Sequence, residues 1–459
     1  MKKELTMVFC AGLAGAVLAQ AAEKAETEGL DWDGGADLRV RHELHDNVPQ
    51  HNAGGAVSGN QSYLRIRPRV WGAVKNEDFK LHVRLADEFR EYFHPSESRN
   101  AQFPDEVLVD NLYLDLYGLF GDRLDLRVGR QDFIGPQGPE YGAGRVLLDG
   151  SSGDGSRTCF FDAIKATIKF DEKNTLDLLA IYNKAENELS WGHNKGADGS
   201  YPKEKQMTYN VPGATDMDEY GGGLYFKSRE FKEFPFDLYY LFKRETKARF
   251  RGATLPGRDT HTLGARVMPQ LTETLSAEFE GAAQAGELDG GNAARGYMGY
   301  AGLTYKPAVE SCKPYVTMAC YYLSGDRNGA DDNDTSWNPL WARWPQYSEM
   351  YPYQDRGVCY WSNLIYPNLT VGSRFANGHK VSANVGPMYA AVEDDLGGGN
   401  GDLYGWFGMF RYDFPLLKNI FGKRGDLTGH VTAEVLDPGD YYVSDTVAYF
   451  LRWEVIARF

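Results

Sequence analysis

Much that would sort this 459-residue chain into a common class is missing. Beyond an N-terminal apolar stretch there is no apolar run near the ~18 residues that a membrane-spanning helix needs, and the mean hydropathy is −0.49, so helical spans are excluded. Cysteine is scarce, five residues in all, and no two are spaced as CxxC, which leaves zinc and redox sites without support. Basic residues do not prevail: 49 Lys and Arg stand against 64 Asp and Glu, a net charge of −15, which speaks against a nucleic-acid partner. The glycine-rich stretch 135–144 is followed by no GK[ST] and opens no helix, so it is not a phosphate loop.

What is abundant is aromatic residues (14%), 52 glycines and 29 tyrosines. Many strands, many turns and aromatic girdles at two membrane interfaces would account for all three. The N-terminus supplies the address. Lys2 and Lys3 precede an apolar segment from Leu5 to Leu18, too short to span a bilayer, and Ala19-Gln20-Ala21 forms a small-residue cleavage site. Residues 1–21 therefore read as a cleaved signal peptide and 22–459 as the mature protein. Cys10 lies inside the apolar segment rather than at its end, which argues against a lipoprotein anchor. The mature chain keeps 47 basic and 63 acidic residues, a net of −16, once Lys2, Lys3 and Glu4 leave.

The last fourteen residues, Thr446 to Phe459, set the pattern. Val447, Tyr449, Leu451, Trp453, Val455 and Ala457 alternate with Arg452, Glu454 and Arg458, the period of a strand. A strand apolar on one side, charged on the other and ending in an aromatic residue suits a transmembrane β-barrel, and a terminal Phe resembles the signal read by the barrel assembly machinery. The same alternation recurs from Asp37 onward and divides the chain into about eighteen strands, an all-β antiparallel up-and-down barrel. Connections after odd strands are long (46–61, 93–105, 134–159, 184–218, 247–259, 286–295, 325–360, 392–401, 437–445) and those after even strands mostly short. Long outer loops and short inner turns are what a barrel with both ends in the periplasm requires. One inner connection, Pro415 to Asp426, is long enough to fold under the pore.

The polar face of the strands collects arginine: Arg39, Arg41, Arg65, Arg67, Arg69, Arg84, Arg90, Arg127 and Arg452. Barrel closure brings Arg452 beside Arg39 and Arg41. Such a ladder attracts anions in a low-dielectric constriction. Alternatively the arginines are structural, paired with inward carboxylates such as Asp37, Glu88, Asp115, Asp125, Glu278 and Glu454. Both readings stay open on sequence alone.

Three further motifs stand in order: Gly129-Arg130-Gln131; the loop Gly144-Arg145-Val146-Leu147-Leu148-Asp149-Gly150, followed by Phe161-Asp162-Ala163; and Ser324-Gly325-Asp326 opening an Asp-rich loop. Together they resemble the alginate-export outer-membrane porins over nearly the whole mature chain. That resemblance implies an eighteen-stranded monomeric barrel in a Gram-negative outer membrane, a passive arginine-lined pore for an anionic saccharide, and loops that partly plug it. By position it adds Arg130 and Arg145 to the substrate path. Simple alternation from Leu124, Leu126 and Val128 places Arg130 outward, and a bulge at Gly129 is expected to turn it in.

The remaining candidates are weaker. Asp326, Asp331 and Asp332 invite calcium, but Gly329 is misplaced for an EF-hand and no Glu closes the loop; no cofactor is expected, and a divalent bridge to lipopolysaccharide is the bland alternative. His42 and His45 fall on opposite faces of one strand, so no metal is assigned. Cys159 and Cys359, both in outer loops, are the one geometrically plausible disulfide. The rival functions are a general porin with a merely polar lumen, an outer-membrane barrel enzyme, for which neither G-x-S-x-G nor a Ser/His/Asp set is present, and a chelate receptor, which would need a plug domain before the first strand.

Overall fold

In the computed structural model the described residues are 29–48, 60–94, 107–135, 138–145, 160–185, 189–191, 217–250, 253–326, 333–342, 348, 350, 362–393, 398–420 and 425–459. Residues 1–21, Cys159, Cys359, Asp331 and Asp332 lie outside them.

Eighteen antiparallel strands form one closed wall. They are β1 (Asp31–Asp46), β2 (Gln61–Lys75), β3 (Phe79–Ala86, resuming as Phe89–His94), β4 (Val107–Gly118), β5 (Leu124–Gln131), β6 (Phe161–Lys169), β7 (Asn174–Asn183), β8 (Glu219–Ser228) and β9 (Phe236–Glu245). The second half comprises β10 (Arg258–Val267), β11 (Leu275–Leu288), β12 (Asn292–Tyr305), β13 (Tyr315–Leu323), β14 (Leu364–Arg374), β15 (Lys380–Tyr389), β16 (Leu403–Asn419), β17 (Gly425–Pro438) and β18 (Ala448–Arg458). Each strand pairs with its sequence neighbours, and β18 closes on β1 from Asp37↔Arg458 to Asp46↔Tyr449. The terminal residue joins the seam: Phe459 N donates to Ala36 O at 2.9 Å.

Period-2 alternation puts the two side-chain sets in opposite environments. Outward residues such as Leu112, Leu114, Leu224, Leu263, Phe279, Met318, Leu451 and Trp453 are exposed, as lipid contact requires. Inward residues are buried, and the charged ones are largely paired. Among the described residues no helix is long and apolar enough to cross a membrane.

The described inner turns are short, spanning 76–78, 119–123, 170–173, 229–235, 268–274, 306–314 and 375–379. In one of them Asp171 accepts hydrogen bonds from the Asn174 side chain, the Lys173 amide and the Asn174 amide, which hold its carboxyl below the usual range. Two expected connections are replaced by strand. The long inner connection from Pro415 does not fold under the pore: β16 continues through Asn419, pairing Leu417 with Leu427 and Lys418 with Asp426. The outer loop expected over 286–295 shrinks to 289–291, where Gly290 (φ 119°) and Gly291 (φ 92°) make a tight turn between two fourteen-residue strands.

Two outer connections turn into the barrel instead. Residues 133–135 and 138–145 descend onto β7–β13: the Tyr141 hydroxyl donates to Asp177 at 3.0 Å, the Gly142 amide donates to the Tyr225 hydroxyl at 3.1 Å, and the Tyr321 hydroxyl donates to the Arg145 carbonyl at 3.3 Å. Residues 337–341 lie on β9–β11: Lys243 donates to Leu340 O at 2.7 Å, the Asn338 amide donates to Gln284 at 2.8 Å, and the Asn338 side chain donates to Glu245 at 2.8 Å. Trp337, Leu340, Trp341, Phe133 and Tyr141 pack there against inward Tyr225, Tyr239, Tyr321, Tyr366 and Phe407. The main apolar core is thus inside the barrel, the inverse of its lipid-facing surface.

Candidate functional site: an arginine wall at the barrel seam

The site begins with one residue. Pro68 stands in the interior strand β2 with no N–H to donate. Opposite it β3 is interrupted: the ladder runs from Lys75↔Lys80 to Arg69↔Ala86 and resumes at Ile66↔Phe89, with only the Asp87 amide reaching the Pro68 carbonyl, at 3.1 Å. The interruption frees Asp87 and Glu88 from the ladder, and Glu88 bonds Arg39 (2.5 Å) and Arg65 (2.6 Å).

Around this gap β18, β1, β2 and β3 stack their inward side chains in register. One row is Arg452–Glu43–Tyr63–Tyr92, the next is Glu454–Arg41–Arg65–Arg90, and the third holds Arg39 opposite Arg67. Below them Arg69 grips Asp37 at 2.6 Å with two nitrogens engaged, a strong charge-assisted geometry. Glu43 is a hub for three guanidinium groups, Arg41 (2.9 Å), Arg452 (2.5 Å) and Arg65 (3.4 Å). Glu454 stands 3.6 Å from Arg41 and 3.8 Å from Arg39. The predicted grouping of Arg452 with Arg39 and Arg41 therefore forms, mediated by Glu43 and Glu454.

The pairing is incomplete. Seven arginines (39, 41, 65, 67, 69, 90 and 452) face five carboxylates (Asp37, Glu43, Asp87, Glu88 and Glu454) on this wall. Arg67 is buried, directly opposite Arg39, and pairs with no carboxylate within 4 Å. Its Nε lacks any hydrogen-bond partner. Like charges face to face across a ladder repel, so Arg67 sits here at a cost that the wall itself does not offset.

The other predicted arginines are neutralised locally. Arg84 bonds Asp110 (2.6 Å) and Asp132 (2.8 Å), and Arg127 bonds Asp115 (2.6 Å) while stacking on Tyr113 at 4.1 Å. Asp125 sits at the inner end of β5, accepting from Gly118 N (3.0 Å) and Lys169 (2.6 Å). Arg145 is carried into the lumen by its loop and pinned to Glu278 and Glu280 on β11, its guanidinium 3.9 Å from the Tyr300 ring centre.

Arg130 departs from expectation. No bulge forms at Gly129: the register is unbroken from Leu116↔Leu126 to Leu112↔Arg130 and on β6 to Arg130↔Asp162. Gly129 instead adopts φ 123°, where a Cβ would sit 2.3 Å from the Leu112 carbonyl oxygen. Arg130 keeps the outward parity of Leu112 at the outer end of its strand, bonding Asp162 (2.8 Å) and the Val109 carbonyl (3.1 Å) and stacking on Phe160 at 3.7 Å. It is not part of the lumenal wall. Asp326 orders its own turn by accepting from the Thr335 amide and hydroxyl, both at 3.2 Å. Among the described residues no group of three His, Cys, Asp or Glu is placed to hold a metal, and Cys312 and Cys320 are free thiols.

A closed eighteen-stranded barrel with an apolar exterior, a charged lumen and infolded outer loops is an outer-membrane porin channel, and such a protein resides in the outer membrane. The fold is shared with outer-membrane porins: OpdQ of Pseudomonas aeruginosa (11% identity, TM-score 0.52, covering 93% of this chain and 97% of that one), OccK7 (OpdD) of the same organism (13%, 0.51, 93% and 98%) and OccAB2 of Acinetobacter baumannii (10%, 0.56, 93% and 98%). Residues 213–400 match the alginate export family, which bears out the resemblance drawn from the motifs; of those motifs only Ser324-Gly325-Asp326 lies within the matched stretch. No curated protein matches the chain. The matched stretch and the shared fold both point to porin channels.

Proposed function

We propose that the channel passes anionic saccharides, alginate-like uronates among them, by passive anion-selective diffusion along the arginine wall. The observation that carries this reading is Arg67, a buried cation with no carboxylate partner among seven arginines and five acids. That uncompensated charge draws a substrate carboxylate to the wall, where guanidinium contacts replace part of its hydration. Glu43, Glu88 and Glu454 compete for the neighbouring arginines and keep the site weak enough to release. The pairing of Arg84, Arg127 and Arg145 favours a second reading, a porin whose lumen is polar without selectivity. In this proposal residues 1–21 direct export, the Phe459 end is offered to the assembly machinery, and the outer rim meets lipopolysaccharide.

Reversal potential under a salt gradient separates the two readings. The wild type is expected to prefer anions, and Arg67→Glu to abolish or invert that preference. Cation preference unchanged by the substitution would sink the anionic reading and leave the porin.

A further inference from the structure

The arginine wall ends outward in a surface of different chemistry. Tyr63 on β2 stands directly opposite Tyr92 on β3, with ring centres 4.9 Å apart and planes 43° from parallel. One row further in, Arg90 stands opposite Arg65. The Arg90 guanidinium lies 5.3 Å from the Tyr63 ring centre and donates to the Tyr92 hydroxyl at 3.4 Å. The pair continues the register of Arg65↔Arg90 and Leu64↔Glu91, and the ladder shifts only beyond it, between Tyr63 and Ser62, where Ser62 pairs with His94 and Phe93 is skipped. Phe93 is left on the lipid side, 5.9 Å from the His42 ring.

Among the described residues three lumenal arginines stack on tyrosines, and they differ in one respect. Arg127 over Tyr113 is neutralised by Asp115, and Arg145 over Tyr300 by Glu278 and Glu280. Arg90 over Tyr63 has no carboxylate within 4 Å. Arg90 and Tyr92 are also only partly buried, whereas Arg39, Arg41, Arg65, Arg67 and Arg452 are almost inaccessible. A cation without a counter-ion, beside an accessible aromatic face, is matched to a ligand with an apolar ring face and a carboxylate on the same ring. A pyranose uronate has both: its axial C–H groups present an apolar face to an aromatic ring, and its carboxylate takes a planar guanidinium.

We propose that Tyr92, Tyr63 and Arg90 form an outer subsite for a single uronate ring, with the sugar on Tyr92 and its carboxylate on Arg90. Arg67 lies one row deeper along β2, about 7 Å from the Arg65–Arg90 row at strand spacing, and its uncompensated charge adds to the field that draws the carboxylate. This subsite rests on the anion-selective reading above and adds ring recognition to it: simple anions use Arg90 alone, whereas uronates use the tyrosine as well.

The test is block of the single-channel current in planar bilayers by D-glucuronate, acetate and glucose. For the wild type, half-block by glucuronate is expected at a lower concentration than by acetate or glucose. Tyr92→Ala is expected to raise the glucuronate value about tenfold, equivalent to about 1.4 kcal/mol, while acetate block and reversal potential stay as they were. Tyr92→Phe, which keeps the ring, is expected to behave within about twofold of wild type and guards against misfolding as the cause. Arg90→Gln is expected to weaken glucuronate and acetate alike. An anion-selective channel in which Tyr92→Ala leaves glucuronate block unchanged would overturn the subsite alone. Cation preference in the wild type would overturn the anionic reading and the subsite with it.

Discussion

At the scale of single residues, two neighbours in the wall are expected to respond oppositely to loss of charge. Glu43 neutralises Arg41, Arg65 and Arg452 at once, and removing one member of a buried ion network leaves the others desolvated and unpaired, which costs about 3–5 kcal/mol. Glu43→Gln is therefore expected to lower the unfolding free energy of the refolded barrel, read from urea titration in detergent, by an amount in that range. Arg67 has no partner to strand, so Arg67→Met removes an uncompensated charge and is expected to leave stability equal to wild type or higher. A Glu43→Gln barrel as stable as wild type would show that the hub is dispensable. Parity along the strands placed Arg39, Arg41, Arg65, Arg67, Arg69 and Arg452 on the lumenal side in advance. The missing partner of Arg67 was not legible, because it follows from a gap in a neighbouring strand.

At the scale of elements, that gap traces to Pro68, a visible residue whose effect depends on which strand lies beside it. The eighteen strands themselves were readable, since lipid on one side and water on the other impose alternation on every span. Local backbone geometry was read less well. Gly129 meets the conflict between strand parity and its neighbours with a left-handed φ rather than the expected bulge, and Arg130 stays outside. Gly129→Ala combines that φ with a contact of 2.3 Å to the Leu112 carbonyl and is expected to destabilise by about 1–3 kcal/mol, measurable as a shift in thermal unfolding on heat-modifiability gels. On the lipid face, Leu263 on β10 is 68% exposed, and Leu263→Arg is expected to cost about 2–4 kcal/mol if it lies at the bilayer midplane. The same substitution in detergent micelles, where the side chain can reach water, is expected to cost less, and equal costs in bilayer and micelle would contradict a lipid-facing position.

At the scale of the whole molecule, the lumen has two unlike sides. The arginine wall spans β18 through β3, and the infolded segments 133–135, 138–145 and 337–341 fill the outer half against β7 through β13 with tryptophan, tyrosine and leucine. These contacts join residues as far apart as Arg145 and Glu280 or Asn338 and Glu245, and no local pattern announces them. The resemblance to a plugged porin implied that loops enter the pore, but not which strands they cover. Trp341 is fully buried between the loop and the wall, and Trp341→Ala is expected to raise single-channel conductance with selectivity unchanged. Unchanged conductance would mean that this segment lies outside the ion path.

The arginine wall also straddles the join between the first strand and the last. Glu43 and Arg41 belong to β1, whereas Arg452 and Glu454 belong to β18, more than four hundred residues later. Until β18 pairs with β1, Glu43 lacks one of its three cations and Arg41 lacks Glu454. The selectivity element is therefore finished in the same act that finishes the barrel, and an intermediate stalled before ring closure has neither a sealed pore nor a charge filter.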